Sequence, residues 1–237
     1  MKRSEINTIL QSADEFIRGH GFYLPPFAYW TPEEWRTKGA EVSEIVENRL
    51  GWDITDFGSG DFERIGLFLF TVRNGNSENW KTQQGKLYAE KIMVVRTGQI
   101  TPMHFHWKKS EDIINRGGGD LVIQLYNATP EEGLDISDVN VSVDGMRRTL
   151  PKGECVRLKP GESITLPPRL YHKFWAEGGW LLVGEVSLVN DDEKDNRFFE
   201  PIGRFPDIED DEPPTYLLSM DYEQYYRSNP NPDKVSI

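Results

Sequence analysis

The sequence predicts a mainly β fold, in which many short strands form a barrel or sandwich behind a helical N-terminal region. From about residue 65, apolar runs of about five to ten residues alternate with Gly, Asn and Pro. Before that point, apolar side chains recur at helical spacing instead. A third observation is that three of the four histidines fall into one pattern, His104-x-His106 and His172. Together these features favour a β-barrel with helices packed outside and a polar site within.

The N-terminal region, residues 1–60, is predicted to be a helical extension that packs on the barrel. Its first helix is indicated by apolar residues at helical spacing, with Ser4 as a candidate cap: Ile6, Ile9, Leu10, Ala13, Phe16 and Ile17. Gly19 and Gly21 end that pattern. Thr31-Pro32-Glu33-Glu34 has the form of a capping box with Pro at the first helical position. A further apolar stripe runs from Val42 to Leu50.

The barrel is predicted over residues 61–200. Its candidate strands are Ile65–Arg73, Lys86–Arg96, Gln99–Lys108, Asp120–Asn127, Val139–Val143, Arg147–Leu150, Cys155–Leu158, Ser163–Leu166, Tyr171–Ala176 and Trp180–Val189. Asn74-Gly75, Asp144-Gly145 and Gly178-Gly179 are turn signals. Many short strands without long interleaved helices are typical of a sandwich or barrel.

Residues 201–237 are predicted to be a C-terminal arm of the same domain. The acidic run 207–212 and the aromatic residues after it favour a segment that wraps the barrel or a dimer partner, with a substrate lid as the alternative. From Asn229 onward the polar sequence predicts disorder.

Composition excludes several classes of partner. The net charge of −12, from 27 basic and 39 acidic residues, argues against nucleic acid and anionic membranes as partners. A single cysteine, Cys155, allows no intrachain disulfide and no zinc-thiolate site. No apolar signal segment or stretch long enough to cross a bilayer is found, so we expect a cytoplasmic protein.

A metal site is predicted from His104, His106, Glu111 and His172. Side chains alternate along a strand, so His104 and His106 point to the same side and can reach one ion. Glu111 follows the end of that strand, and a rolled sheet would bring His172 across from a distant strand. Nitrogen and oxygen ligands without thiolate suit Mn, Fe, Co, Ni or Zn. The alternative is a polar strand face with His172 as a hydrogen-bonded core residue.

Three charged residues are candidates for work beside that metal. Lys108 and Pro102 share parity with the histidines, so both are predicted to face the ion. Lys91 falls on an apolar strand face, where an unpaired ammonium is costly. A polar pocket would resolve this conflict, and a register slip or a lysine at the strand end are the alternatives. Glu185 is the single charge in a strand that is apolar on both faces, and it needs a cation, a metal or a ligand, or else belongs to a structural ion pair.

The ligand spacing resembles the two motifs of the cupin superfamily, whose jelly-roll β-barrel holds a divalent metal with three His and one Glu. The matching positions are Gly98, His104, His106, Glu111 and Gly118 in the first motif, and Gly161, Pro167 and His172 in the second. The second motif departs from the pattern where Arg169 replaces a glycine and Ala176 replaces an asparagine.

The stretch Gly184–Asp192, the helical N-terminus and the chain length are similar to the cupin-type D-lyxose isomerases over about residues 1–225. This resemblance implies interconversion of D-lyxose and D-xylulose, often with D-mannose and D-fructose as a second pair. It also implies a divalent metal, usually Mn²⁺, and a homodimer.

Carried over residue by residue, the resemblance makes His104, His106, Glu111 and His172 the ligands. Lys91, Lys108 and Glu185 become the candidates for sugar binding and proton transfer. Two alternatives stay open: an Fe(II)-dependent cupin oxygenase and a non-catalytic sugar-binding cupin.

Overall fold

Antiparallel strands form one curved sheet that closes around a site of buried polar residues. The computed structural model describes residues 1–192, 194–203 and 206–226. Within them, the strand order is β1-β2-β3-β10-β5-β9-β6-β7, with β4 and β8 pairing to β10 and β5 and with β11 pairing to β4. The strands are β1 (Gly51–Thr55), β2 (Leu67–Arg73), β3 (Tyr88–Val95), β4 (Ile100–Phe105), β5 (Glu111–Asn127), β6 (Val139–Val143), β7 (Met146–Leu150), β8 (Cys155–Leu158), β9 (Ser163–Leu166), β10 (Leu170–Leu188) and β11 (Arg197–Phe198). The predicted mainly β architecture is confirmed.

The described residues contain five helices, and the longest of them packs on an outer face of the sheet. They are α1 (Arg3–Gly19), α2 (Pro32–Trp35), α3 (Ser43–Glu47), α4 (Ser77–Thr82) and α5 (Tyr222–Tyr225), with 3₁₀ turns at Pro26–Tyr29, Ala40–Val42 and Ser219–Asp221. The capping box of Thr31 and Glu34 is present. The Ser4 cap is wrong, because α1 begins at Arg3 and the Ser4 hydroxyl instead donates to Asp211.

Two apolar cores explain why the central strands are hydrophobic on both faces. Met93 and Val95 of β3 point into the barrel and belong to the inner core. Ile92 and Val94 point outward and pack with α1, which buries Ile6, Leu10 and Ile17 against them. A sheet covered on both faces loses the alternation of apolar and polar residues.

Strand β10 is one continuous strand over Leu170–Leu188. For these residues the sequence predicts two strands separated by a turn at Gly178-Gly179. The turn is wrong: the register between β10 and β5 shifts between Glu177 and Leu181, and the chain continues as one bent strand. Glycines permit the bend, because a Cβ on Gly119 would lie 2.4 Å from the Glu177 carbonyl oxygen.

Two segments differ from the predicted division of the chain. Residues 51–55, placed in the helical extension, form edge strand β1 beside β2. The short helix α4 lies between β2 and β3, where the sequence predicts none.

The described part of the C-terminal arm packs on α1. Arg3 pairs with Asp210 and Asp221, and Asn7 donates to Glu212. The acidic run therefore joins α1 to the described part of the C-terminal arm. The disorder predicted from Asn229 onward falls outside the described residues. Among the described helices, none combines the length and apolar character that crossing a membrane requires.

Candidate metal centre and active site

Three histidines from two paired strands converge inside the barrel. His104 is the second-to-last residue of β4, and His106 is the first residue after that strand. His172 lies on β10, opposite His104. One ring nitrogen from each lies within 4.8 Å of the other two, and all three side chains are buried. Cross-strand pairing therefore assembles the cluster that the sequence spacing predicts.

Hydrogen bonds set the direction of each imidazole ring. His104 Nδ1 lies 2.8 Å from the Pro102 carbonyl oxygen, and His106 Nδ1 lies 2.8 Å from that of Asp195. His172 Nδ1 lies 3.0 Å from the Leu170 carbonyl oxygen. A carbonyl oxygen only accepts, so each Nδ1 carries the proton and each Nε2 keeps a lone pair toward the cluster centre. Burial lowers the pKa of His104 well below its usual range, and the neighbouring His172 and His106 lower it further. Neutral imidazole is the form that binds a metal.

Glu111, the first residue of β5, completes the cluster. Its Oε1 lies 3.1 Å from His172 Nε2 and its Oε2 lies 3.4 Å from His106 Nε2. Burial alone would raise the pKa of this carboxyl, but the Lys109 ammonium outweighs it and holds the pKa well below its usual range. Three nitrogens and one ionised carboxylate form a donor set that fits a divalent cation.

Lys109, not Lys108, faces this cluster. Lys109 is buried, and its Nζ lies 2.7 Å from Glu111 Oε2 and 2.8 Å from Glu185 Oε1. Lys108 is exposed, so the orientation predicted for it is wrong. Strand β4 ends at Phe105, and in the turn that follows the alternation of side chains no longer holds. The Asp195 carboxylate fixes that turn by accepting from the backbone N–H groups of Lys108 and Lys109, each at 2.9 Å.

A β-bulge changes the other end of β4. The register to β10 shifts between His172 and Phe174, so His104 pairs with His172 whereas Thr101 pairs with Phe174. An extra residue reverses the faces of a strand. Thr101 therefore lines the cavity where simple alternation predicts Pro102.

Glu185 lies directly opposite Lys91 in the pairing of β10 with β3. Lys91 Nζ lies 3.7 Å from Glu185 Oε2 and donates to Asn190 Oδ1 at 2.7 Å. Burial would raise the pKa of Glu185, but Lys109 and Lys91 outweigh it and the pKa is lowered. Lys91 and Glu185 therefore both lie in a polar pocket. This accounts for two charged residues in strand segments that are otherwise apolar.

These side chains share one cavity of about 50 Å³ within the described residues. It is lined by His104, His106, Glu111, His172, Lys91, Lys109, Glu185 and Thr101, with an apolar wall that includes Leu67, Leu69 and Phe174. A larger cavity of about 290 Å³ shares Asp192 with it and is lined by Asp53, Thr71 and Asn74.

Arg169 lies outside this cavity. Its φ of 63° is the left-handed conformation that a glycine adopts most easily. The guanidinium donates to the Thr129 carbonyl oxygen and lies over the Phe105 ring. These contacts hold a loop and accommodate the departure from the glycine of the motif.

Comparisons with known proteins agree with the fold. The chain is 50% identical to the D-lyxose/D-mannose isomerase of Serratia proteamaculans, over 95% of this chain and 99% of that protein. It is also 50% identical to the enzyme of the same name from Escherichia coli O157:H7, over 95% and 100%. Among solved structures, L-ribose isomerase of Cellulomonas parahominis superposes with a TM-score of 0.57 at 16% identity, covering 88% of this chain and 98% of that one.

The L-ribose isomerase of Acinetobacter sp. DL28, solved with L-ribose, superposes with a TM-score of 0.55 at 16% identity, over 84% and 93%. At this identity the likeness concerns the fold, and it supports the predicted cupin barrel. The family model described as D-lyxose isomerase matches residues 1–222. The chain belongs to the D-lyxose isomerase family.

Proposed function

We propose that the protein is a metal-dependent aldose–ketose isomerase that interconverts D-lyxose and D-xylulose, with D-mannose and D-fructose as a second pair. The observation that carries this proposal is the buried Lys109–Glu185 ion pair, which lies against the cluster of three histidines and Glu111 in one cavity. Relatives that are half identical and named for D-lyxose and D-mannose support the choice of sugars.

His104, His106, His172 and Glu111 would hold the metal, which we propose to be Mn²⁺. When bound, a divalent cation in this set supplies a Lewis acid that polarises the sugar carbonyl. The donors also suit Fe, Co, Ni and Zn, so the choice of Mn²⁺ follows the family resemblance.

Glu185 is the base in this proposal. Its pKa is lowered, so the carboxylate is ionised at neutral pH and can accept the proton of C2 from an aldose. Returning that proton to C1 yields the ketose, and the hydroxyl proton moves from O2 to O1 in the same sequence. No other reactant is consumed.

Lys109 and Lys91 hold this base in place. The Lys109 ammonium bonds Glu185 Oε1, while Lys91 approaches Oε2 from the neighbouring strand. Because packing fixes both cations, they can stabilise the negative charge that develops on the sugar oxygens without first moving. The three hydrogens of the Lys109 ammonium have three protein acceptors, Glu111 Oε2, Glu185 Oε1 and Asn190 Oδ1, which fix its position beside the base.

The homodimer and the cytoplasmic location remain predictions. The resemblance implies the first, and the composition suggests the second. Sedimentation of the purified protein would test the dimer directly.

Turnover of D-lyxose by EDTA-stripped protein, with and without added Mn²⁺, tests the proposal. We expect D-xylulose to form only after metal is restored. Equal ketose formation by the stripped protein would contradict a metal-dependent reaction, and oxygen uptake with Fe(II) without ketose would replace the isomerase by an oxygenase.

A second measurement tests the assigned base. Glu185→Gln removes the charge at nearly constant volume, and we expect kcat to fall by about 10²-fold or more with metal content unchanged. An unchanged kcat would leave Glu185 with a structural role only.

A further inference from the structure

The hydroxyl of Thr101 is buried in the cavity that contains the histidine cluster. Thr101 is 2% exposed, and its Oγ1 has no hydrogen-bond partner among the described residues. Other buried side chains of the cavity, such as Lys91, Lys109 and Glu185, are all bonded. Buried polar atoms in folded proteins are nearly always paired, so an exception at a site needs an explanation.

The surroundings of this hydroxyl offer it no protein partner. The bulge in β4 turns Thr101 into the cavity, whose apolar wall includes Leu67, Leu69 and Phe174. Packing alone would be served equally by valine, which has the same shape and no group to satisfy. A buried hydroxyl without a partner lowers the stability of the folded state. A molecule that enters the cavity would supply the partner that the described residues do not.

We propose that Thr101 Oγ1 is a subsite for one hydroxyl group of the open-chain sugar. This inference rests on the proposed function, and it adds a neutral contact to the charged groups of the same cavity. A threonine hydroxyl both donates and accepts, and a sugar hydroxyl does the same, so the two match without any change of charge. The apolar wall beside Thr101 suits the C–H groups of the carbon chain. The subsite therefore suits a polyol, which offers hydroxyl and C–H groups side by side.

Binding of a polyol that cannot react tests this subsite. D-arabinitol, which is the alditol obtained by reducing D-lyxose, has no carbonyl group and cannot be isomerised. Calorimetric titration of the Mn²⁺-loaded protein would give its affinity for the unaltered chain, for Thr101→Val and for Thr101→Ser. We expect Thr101→Val to bind about 2- to 10-fold more weakly, which is the range for one neutral hydrogen bond. Thr101→Ser keeps the hydroxyl and should stay within about twofold.

Melting of the metal-free variants separates binding from folding. Because Thr101 Oγ1 has no protein partner, we expect Thr101→Val to melt at the same temperature as the unaltered protein or higher. Thr149→Val is the matched control: Thr149 is exposed on β7 and bonds Asn140, far from the cavity lining. Unchanged D-arabinitol affinity in Thr101→Val would overturn the subsite, and so would an absence of D-arabinitol binding by the unaltered protein.

The outcomes for the subsite and for the proposed function are distinguishable. If the unaltered protein turns over D-lyxose while Thr101→Val binds D-arabinitol normally, the isomerase stands and the subsite is wrong. If D-lyxose is not isomerised but Thr101→Val weakens D-arabinitol binding, the subsite stands and the proposed reaction is wrong.

Discussion

Two adjacent lysines show how much depends on the direction of a single side chain. Lys108 is exposed, whereas Lys109 is buried between Glu111 and Glu185. Burial would lower the pKa of the Lys109 ammonium, but Glu111 and Glu185 outweigh it and the pKa is raised. The fixed positive charge in the cavity therefore belongs to Lys109. Strand alternation in the sequence predicts Lys108 instead.

Replacing each lysine by methionine gives a matched pair. In Lys109→Met, Glu111 and Glu185 lose their shared cation, and we expect kcat on D-lyxose to fall by about 10²-fold or more. Lys108→Met should leave kcat within about twofold, because exposed substitutions rarely disturb a site. Steady-state kinetics of the Mn²⁺-loaded variants, with circular dichroism to verify folding, would check both. Similar losses in the two variants would contradict the assignment of Lys109.

Asp195 supports two parts of the site at once. Its carboxylate accepts from the N–H groups of Lys108 and Lys109, and its carbonyl oxygen accepts from His106 Nδ1. Asp195→Asn keeps the shape but leaves one N–H facing an amide group that only donates. We expect metal affinity to fall by about 10- to 100-fold, as is typical when a group behind a ligand is altered.

Competition of the Asp195→Asn protein with a chelator would measure that affinity. Asp138→Asn is the control, since Asp138 is exposed and does not line the cavity that holds the ligands. If both variants retain Mn²⁺ as well as the unaltered protein, Asp195 does not position the ligands.

At the scale of elements, periodicity predicts regular strands well and irregular ones poorly. The bounds of β6, β8 and β9 match the predicted runs to the residue. The bulge in β4 and the bend of β10 were not predictable in this way, because both arise from pairing with strands distant in sequence. This explains why all four candidate ligands converge as predicted while Lys109 and Thr101 were missed. The ligands have a spacing motif, and Lys91 and Glu185 are charges in apolar strands, whereas Lys109 and Thr101 carry no such local signal.

Helix α1 provides a test of the outer core. Leu10 is 2% exposed and packs against the sheet, whereas the next residue, Gln11, is exposed. Leu10→Ala should lower the free energy of unfolding by about 2–5 kcal/mol, because it removes buried methyl groups and leaves a cavity. Gln11→Ala should change it by less than about 0.5 kcal/mol. Urea denaturation of the metal-free proteins would compare them, and equal stability would show that α1 is not docked as described.

At the scale of the whole molecule, an ion-pair network centred on the buried Arg3 joins the two ends of the described chain. Arg3 Nη2 lies 2.9 Å from Asp221 Oδ1, and Arg3 Nε lies 2.9 Å from Asp210 Oδ1. Asp221 also accepts from the Leu218 N–H at the start of a 3₁₀ turn. The contacts tie α1 to the C-terminal arm and hold both on the sheet.

Breaking this network should destabilise the protein without changing its chemistry. Arg3→Met leaves Asp221 buried without its cation, and we expect the free energy of unfolding to fall by about 3 kcal/mol. Lys2→Met, at an exposed neighbouring position, should be near neutral. Urea denaturation would measure the loss, while kcat at low temperature should match the unaltered protein. A large fall in kcat there would instead link the arm to the site.

The lone cysteine offers a view of the metal centre that needs no substrate. Cys155 is exposed on β8, opposite Gln124 of β5, which in turn pairs with Lys173 beside His172. Two strand spacings of about 4.8 Å put the Cys155 backbone about 10 Å from that of Lys173. A nitroxide on this thiol would therefore lie within the dipolar range of a paramagnetic ion. Its electron spin resonance signal would broaden as Mn²⁺ fills the cluster and stay sharp with diamagnetic Zn²⁺.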